Sequence, residues 1–135
     1  GYHQTYNSYV TSSDGAKSKQ MFDTMRTLND GSYPVKIAGA DVVSVRDLSV
    51  GFDSTTADKK ALLPSSAVSP MITFTLANGV ILTIRGSGTE PKIKWYSEEI
   101  AATPPNEETF VAFVDAAVAE LMRPTEFGFK KRPSS

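Results

Sequence analysis

The residues best suited to chemistry in this 135-residue chain lie at positions 85 to 94, between two apolar segments. They read Arg-Gly-Ser-Gly-Thr-Glu-Pro-Lys-Ile-Lys, directly after one predicted strand and directly before another. The glycines Gly86 and Gly88 let the backbone turn sharply with its N–H groups exposed on one side. Such a run of N–H groups forms a concave site for an anion. The pattern therefore predicts an anion-binding loop between two strands.

Side chains of the same segment add donors that suit phosphate. Arg85 offers a planar fork of N–H groups for a two-point contact with phosphate. Ser87 and Thr89 are two positions apart, so both hydroxyls could point to the same side and contact one oxyanion. Lys92 and Lys94 add positive charge nearby. The segment matches neither the P-loop pattern nor a dinucleotide-binding fingerprint. Residue types alone leave two interpretations, a phosphate or carboxylate site and an ordinary turn between strands.

Composition excludes several classes of function. The net charge of −1 gives no overall field toward nucleic acid or anionic lipid, so an anion site must be a local cluster of donors. There is no cysteine, which excludes a disulfide framework and a thiolate metal site. The absence fits a reducing cytosol and is also compatible with secretion. The only histidine, His3, cannot form a histidine-based triad or metal cluster. No apolar run is long enough to span a membrane. No signal-peptide pattern precedes the predicted first strand. We expect Gly1 to be the point at which a longer protein was cut.

Hydrophobic periodicity predicts two helices. Lys17 to Leu28 carries an apolar stripe at helical spacing, and Asn29-Asp30-Gly31 supplies a helix stop. The second helix should begin at Asn106, a strong N-cap followed by two glutamates, and end before Pro124. Its wide apolar stripe consists of Phe110, Val111, Phe113, Val114, Ala117, Val118 and Leu121.

Alternation and turn residues predict about five strands. A hairpin over Met71 to Arg85 is the clearest, because Asn78-Gly79 suits the positive φ angles of a tight turn. The other predicted strands are 2–10, 36–38, 41–48 (with Val43 and Val45 alternating against Ser44 and Arg46) and 93–98, and 51–69 is a polar loop. This order predicts an α+β fold, an antiparallel sheet with both helices packed on one face.

The segment from Arg85 to Glu98 resembles a family signature. It is similar to R-x-S-G-T-E-P-K followed by I-K-x-Y-x-E, from the C-terminal domain of the α-D-phosphohexomutase superfamily. Upstream residues resemble the phosphoglucomutase-2 and phosphopentomutase branch: Gly1-Tyr2-His3, Val45-Arg46-Asp47-Leu48, Gly51-Phe52-Asp53, Asp58-Lys59-Lys60-Ala61, Leu63-Pro64 and Met71-Ile72-Thr73-Phe74. The resemblance covers most of the chain and weakens only after Glu98.

The resemblance implies a fold, a domain division and a set of site residues. The fold would be TATA-box-binding-protein-like, with residues 1–122 as the fourth domain of the enzyme and 123–135 as a tail. Gly86 departs from the family pattern, which has a side chain there, and we expect this glycine to make the loop more flexible. By position, the residues implied to contact substrate phosphate are Arg85, Ser87, Gly88 and Thr89, with Lys92 as a further contact and Lys94 where relatives often have an arginine.

The activity implied is intramolecular phosphoryl transfer in hexose or pentose phosphates, an isomerase reaction. In the parent enzyme a serine of the first domain would carry the phosphoryl group, with Mg²⁺ in the second domain and a sugar-binding loop in the third. A sugar bisphosphate would serve as activator, and the fourth domain would clamp the phosphate that is not reacting. This chain has no serine-loop, metal-loop or sugar-loop motif, so we expect no catalytic or metal-binding residue in it and no turnover by the chain alone. The implied partners are the phosphosugar and the three other domains, and we expect neither nucleic acid nor a membrane as a partner. The implied location is the cytoplasm.

Three interpretations stay open from the sequence. The chain is a mutase domain, a free-standing phosphosugar- or anion-binding module, or a structural or interaction domain whose loop no longer binds. Asp53, Asp58 and Glu90 could pair as general acid and base, although surface carboxylates are the default. Alternation places one of Trp95 and Tyr96 in the core and leaves the other outside, where it could stack on a sugar.

Overall fold

An antiparallel sheet with two helices on one of its faces makes up the fold, seen here in a computed structural model. The structure describes residues 2–11, 15–47, 52–54, 70–86, 92–101, 103–104, 106–123 and 130–131. In chain order the elements are β1 (Tyr2–Thr11), α1 (Gly15–Arg26), β2 (Lys36–Ile37), β3 (Ala40–Asp47), β4 (Phe52–Asp53), β5 (Met71–Leu76), β6 (Val80–Gly86), β7 (Lys92–Ala101), α2 (Glu107–Met122) and β8 (Lys130–Lys131). The predicted α+β class is confirmed.

The first strand of the chain pairs with one of the last. The strand order across the sheet is β2-β3-β5-β6-β7-β1-β8, and β4 pairs with β3 at its end. All these pairings are antiparallel, and β1 runs along β7 for its whole length, from Tyr2 opposite Ala101 to Thr11 opposite Lys92. The N-terminal strand therefore lies directly beside the strand that follows the predicted anion-binding loop.

The core lies between the sheet and the helices. Alternate residues of β5, β6 and β7 are buried under the helices, which is the two-residue period of half-buried strands. The helices contribute the predicted stripes, and Val111 and Phe113 are only partly buried. The largest buried side chains include Phe22, Phe74, Phe110, Met21, Met25, Ile72, Leu82, Ile84 and Leu121.

The other side of the sheet carries no helix among the described residues, and we call it the open face. Its residues are the strand positions that alternate with the buried ones, and most are polar or charged. They include Thr5, Asn7 and Tyr9 of β1, Arg46 of β3, Thr73 and Thr75 of β5, Ile81, Thr83 and Arg85 of β6, and Lys92, Lys94, Tyr96 and Glu98 of β7.

Capping residues define both ends of α2, and the N-cap at Asn106 is the one that was predicted. The Asn106 side chain accepts a hydrogen bond from the Thr109 N–H at 3.1 Å, which satisfies one of the free donors of the first turn. Glu107 and Glu108 lie in that turn, where carboxylates complement the positive helix end. The helix ends at Arg123, whose left-handed backbone lets its N–H bond to the Ala119 carbonyl.

The predicted hairpin is correct, but its turn is longer than two residues. Leu76 ends β5 and Val80 begins β6, so three residues make the connection. Gly79 has a φ of +89°, whereas Asn78 has no positive φ. A Cβ at Gly79 would lie 2.6 Å from the carbonyl oxygen of Ile100, so only glycine fits between the turn and β7. This is the three-residue hairpin geometry with a glycine in the left-handed region.

A bulge in β3 overturns one predicted alternation. The register against β5 shifts between Val42 and Ser44, so one extra residue is inserted at that point. Val45 is 6% exposed, while Val43 is 65% exposed. The prediction that Val43 and Val45 share a face is therefore wrong.

Two short strands lie in segments predicted to be loop and tail. Phe52 and Asp53 form β4 inside the predicted loop 51–69, of which residues 55–69 lie outside the described part. Lys130 and Lys131 form β8, which pairs with Thr11 and Val10 at the edge of the sheet. The division of the chain after residue 122 stays a prediction.

Candidate anion-binding site

Two cations face each other across β6 and β7, directly beside the 87–91 connection. Arg85 and Lys94 are Cα partners in the strand register, and both side chains are exposed on the open face. Directly opposite side chains on neighbouring antiparallel strands have Cβ atoms about 5 Å apart. The strand register therefore places a guanidinium-bearing side chain and an ammonium-bearing side chain next to each other on the open face.

A third cation, Lys92, begins β7 on the same face. Its ammonium nitrogen lies 4.0 Å from the centroid of the Tyr9 ring, within the range of a cation–π contact. Tyr9 is itself the Cα partner of Lys94, so Lys94 lies between Arg85 on one neighbouring strand and Tyr9 on the other. We call Arg85, Lys92 and Lys94 the cationic cluster.

No carboxylate among the described residues neutralises this cluster. The ion pairs within the described ranges join other residues: His3 to Glu98, Arg26 to Asp23 and Asp47, and Lys36 to Asp41. The first acid along β7, Glu98, is four residues beyond Lys94, roughly 13 Å at the rise of a strand. In the described part of the chain the cluster is thus a local excess of positive charge on a protein of net charge −1.

The remaining predicted contacts lie outside the described residues. Ser87, Gly88 and Thr89 belong to the 87–91 segment, together with Glu90. Their convergence on one anion with the cluster stays a prediction. The structure brings together the three charged members of the predicted site, Arg85, Lys92 and Lys94.

Gly86 is a strand residue, which corrects the position expected for it. It is buried at the end of β6 opposite Ile93, and its N–H donates to the Pro70 carbonyl at 2.8 Å. A Cβ at this position would lie 2.9 Å from Pro70 Cγ and 3.2 Å from Phe22 Cε2. The prediction that Gly86 belongs to the loop is therefore wrong, and its effect on residues 87–91 stays a prediction. The glycine lets Pro70 and helix α1 approach the strand at the point where the 87–91 connection begins.

A buried carboxylate on the helix-covered face anchors the same end of the sheet. Asp47 ends β3 and is fully buried. It accepts hydrogen bonds from Arg26 Nε at 2.6 Å and from the Tyr33 hydroxyl at 2.8 Å. Asp47 pairs with Ile72, and the preceding residue of β5, Met71, pairs with Arg85. This network, which we call the Asp47 anchor, fastens α1 to the strand end beside the cluster.

The anchor shifts the pKa values of both donors. Burial alone would lower the pKa of Arg26, but its hydrogen bond to Asp47 and the carboxylate charge outweigh that effect and raise it. Burial raises the pKa of Tyr33 well above its ordinary value, and the hydrogen bond to Asp47 adds to the shift. This anchor was not predicted from the sequence. The available signal was an acidic residue two positions after Val45, where strand alternation calls for a core residue.

The open face also has a shallow cavity beside the cluster. It has a volume of about 280 Å³ and is lined by Thr5, Asn7, Ile81, Thr83, Tyr96, Ser97 and Glu98. Thr83 precedes Arg85 by two residues and Tyr96 follows Lys94 by two, so the cavity lies one step along the same strands. The arrangement leaves room for a small polar molecule next to the cations.

The remaining candidate residues from the sequence are partly covered by the structure. Trp95 is 4% exposed in the core and Tyr96 is 39% exposed on the open face, which confirms the predicted alternation. Asp58 and Glu90 lie outside the described residues, so an acid–base pair with Asp53 is untested. Within the described ranges, no group of three histidine, aspartate or glutamate side chains could share a metal ion. No helix in the described part of the chain has the length and apolar composition needed to cross a lipid bilayer.

Comparison with known proteins finds relatives among enzymes of sugar phosphates. The chain is 44% identical to human phosphopentomutase over 109 residues, which are 80% of this chain and 18% of that protein. It is 37% identical to mouse glucose 1,6-bisphosphate synthase over 132 residues, 93% of this chain and 21% of that protein. A probable phosphoribomutase of Schizosaccharomyces pombe is 47% identical over 98 residues, 71% of this chain and 17% of that protein. The chain spans about a fifth of the length of these curated relatives, and no family model matches it.

Proposed function

We propose a function from the premise that this chain belongs to the α-D-phosphohexomutase superfamily. The chain is the domain that binds the non-reacting phosphate in a phosphosugar mutase. The reaction of the whole protein would be intramolecular phosphoryl transfer within a sugar phosphate. Relatives named phosphopentomutase and glucose 1,6-bisphosphate synthase support both pentose and hexose phosphates as candidate substrates.

The observation that carries this proposal is the cationic cluster. Three positive charges lie on one face beside the 87–91 connection, and no described carboxylate is paired with them. A phosphate monoester, whose second pKa is about 6, is mostly a dianion at neutral pH. A carboxylate has a single charge and would leave more of the cluster uncompensated. The charge balance therefore favours phosphate over carboxylate.

Each member of the cluster has a distinct proposed task. Arg85 would contact two phosphate oxygens through its planar guanidinium, and Lys94 would supply a point charge opposite it without that fork. Lys92 would add a third charge from the start of β7. Holding the remote phosphate of the substrate orients the reacting end, so binding energy at this domain can raise the rate of the whole enzyme.

The other parts of the chemistry would come from the rest of the longer protein. As the family resemblance implies, we propose that the Mg²⁺ of the whole enzyme is held by its second domain. The phosphorylated serine and the sugar bisphosphate activator would also act outside this chain. We also propose a cytosolic location, which suits a chain without cysteine and which microscopy of the tagged protein would test.

A titration of the chain tests phosphate binding. Ribose 1-phosphate and glucose 1-phosphate are added to ¹⁵N-labelled protein at an ionic strength held constant with KCl. We expect amide shifts confined to residues 85–94, and weaker binding in Lys94→Met. Lys36→Met is the matched control, because it removes one exposed charge at the far edge of the sheet. Equal binding by the two variants would argue against the assigned site.

A mutase assay separates the remaining interpretations. The proposed function requires turnover by the longer protein and none by this chain alone. Binding of sugar phosphates without turnover by the longer protein would favour an anion-binding module. Absence of both binding and turnover would favour a structural or interaction domain.

A further inference from the structure

Lys92 is held in place by an aromatic ring from the opposite end of the chain. Its ammonium lies 4.0 Å from the centroid of the Tyr9 ring, and both residues are partly buried. Lys94, two positions along the same strand, is exposed. The two lysines of the cluster therefore differ, since Lys92 alone has a described contact that fixes its charged end.

The strand register explains how Tyr9 reaches Lys92. Tyr9 lies directly opposite Lys94, and Thr11 lies opposite Lys92, so Tyr9 and Lys92 are diagonal neighbours on the open face. Diagonal positions across an antiparallel pair are about 7–8 Å apart, within reach of an aromatic ring and a long side chain. The contact thus depends on the pairing of β1 with β7 and places the N-terminal strand at the edge of the cluster.

An aromatic ring does something here that an acidic side chain cannot. The face of the ring attracts an ammonium through its quadrupole and leaves the charge of the lysine intact. A carboxylate at position 9 would also attract Lys92, but it would cancel that charge and compete with an incoming phosphate. Tyr9 therefore orders Lys92 and offsets the repulsion from Arg85 and Lys94. It does not cancel the positive charge of Lys92, which remains available to an anion.

We propose that Tyr9 is a positioning residue of the anion site, which extends the site to the N-terminal strand. Its ring holds the Lys92 ammonium next to the 87–91 connection, so that less side-chain freedom is lost when phosphate binds. The ring acts and the hydroxyl does not. This inference rests on the proposed function, because it assumes that the cluster binds phosphate.

Phosphate binding by single and double variants of the 135-residue chain tests this role. Inorganic phosphate is titrated against chloride at constant ionic strength, with ¹⁵N NMR as the readout. Tyr9→Leu removes the ring and is expected to weaken binding about two- to fivefold, the weight of an exposed cation–π contact. Tyr9→Phe keeps the ring and should bind like wild type. In a Lys92→Met background, Tyr9→Leu should cause no further loss.

Two controls separate positioning from folding. Tyr2→Leu removes an exposed tyrosine at the other end of β1, which pairs with Ala101 far from the cluster, and should leave binding unchanged. Melting temperatures of all variants report the fold. The ε-methylene protons of Lys92 give a measurement on the wild-type chain. They should show an upfield ring-current shift and should respond to phosphate over the same concentration range as the amides of 87–91.

The outcomes distinguish this inference from the proposed function. Wild-type binding that Arg85→Ala abolishes and Tyr9→Leu leaves unchanged would overturn the role of Tyr9 and keep the site. Additive losses for Tyr9→Leu and Lys92→Met would also overturn it, because the two residues would then act separately. A wild-type chain that does not bind phosphate would overturn the proposed function and the inference together.

Discussion

Two groups of charged residues lie at the same end of the sheet, on its opposite faces. On the helix-covered face, the Asp47 anchor buries one carboxylate and surrounds it with donors from Arg26 and Tyr33. On the open face, Arg85, Lys92 and Lys94 adjoin with no described acid among them. Charges that are buried and paired serve the fold, whereas like charges gathered at the surface are repulsive until an anion binds. The comparison predicts that the anchor controls stability and the cluster controls binding.

Removing the buried carboxylate should give the largest loss of stability. Asp47→Ala leaves the Arg26 guanidinium and the Tyr33 hydroxyl without their shared acceptor, and we expect the free energy of unfolding to fall by about 3 kcal/mol. Chemical denaturation of the chain measures this loss. Asp41→Ala is the control, since Asp41 makes an exposed pair with Lys36. If Asp47→Ala costs no more than Asp41→Ala, the anchor does not hold this end of the fold.

Removing the guanidinium of the cluster should affect activity and spare the fold. In the whole enzyme of the proposed function, Arg85→Ala is expected to raise the barrier measured by kcat/KM by about 2–4 kcal/mol, because a charge-assisted phosphate contact is lost. Thr89→Ala should cost less. The melting temperature of the chain should not change, because Arg85 is exposed. A loss in kcat/KM smaller than about tenfold would count against the role of Arg85.

A methyl group at Gly86 tests how tightly Pro70 and helix α1 pack against the end of β6. Gly86→Ala places a Cβ 2.9 Å from Pro70 Cγ and 3.2 Å from Phe22 Cε2, so we expect a loss of about 1–3 kcal/mol in the free energy of unfolding. Phe22→Leu in the same chain should relieve part of the clash, so the double variant should lose less than the sum of the two single losses. Strictly additive losses would show that the close approach to Phe22 is not the cause.

The smallest expected effect is on how the free energy of unfolding depends on pH in alkaline solution, which tests the Tyr33 hydroxyl of the anchor. The pKa of Tyr33 is raised by folding, so its contribution is complete below the ordinary tyrosine pKa of about 10 and is lost as the pH rises beyond it. Above about pH 10, the free energy of unfolding should therefore fall more steeply in wild type than in Tyr33→Phe. Other tyrosines and the lysines titrate in both proteins, so the difference reports Tyr33. Parallel curves would contradict the predicted role of its hydroxyl.

The elements with strong local signals were predictable. The hairpin around Gly79, the N-cap at Asn106 and the apolar stripes of both helices follow from periods and capping residues within a few positions of one another. Arg85 and Lys94 were predicted as site residues, and the hairpin register brings them face to face. The positions of Ser87, Gly88 and Thr89 relative to them remain a prediction.

Features that depend on partners far away in the chain were missed or read wrongly. Gly86 was assigned to a loop, because neither Pro70 nor the ring of Phe22 is near it in sequence. Val43 was placed on the same face as Val45, since periodicity cannot show the bulge that turns Val43 outward. The pairing of Lys130 and Lys131 with β1 was not predicted, because no local pattern around these residues indicates a strand.

The types and spacing of the residues were sufficient to indicate an α+β layer, a turn at Gly79 and a run of anion-binding groups from Arg85 to Lys94. These signals are local, because caps, turns and hydrophobic periods act over a few residues of chain. The placement of Tyr9 beside Lys92, the closure of Arg26 and Tyr33 on Asp47 and the need for glycine at position 86 came from the tertiary structure. Each of these joins segments distant in sequence, and such contacts are set by how strands pair and how the core packs.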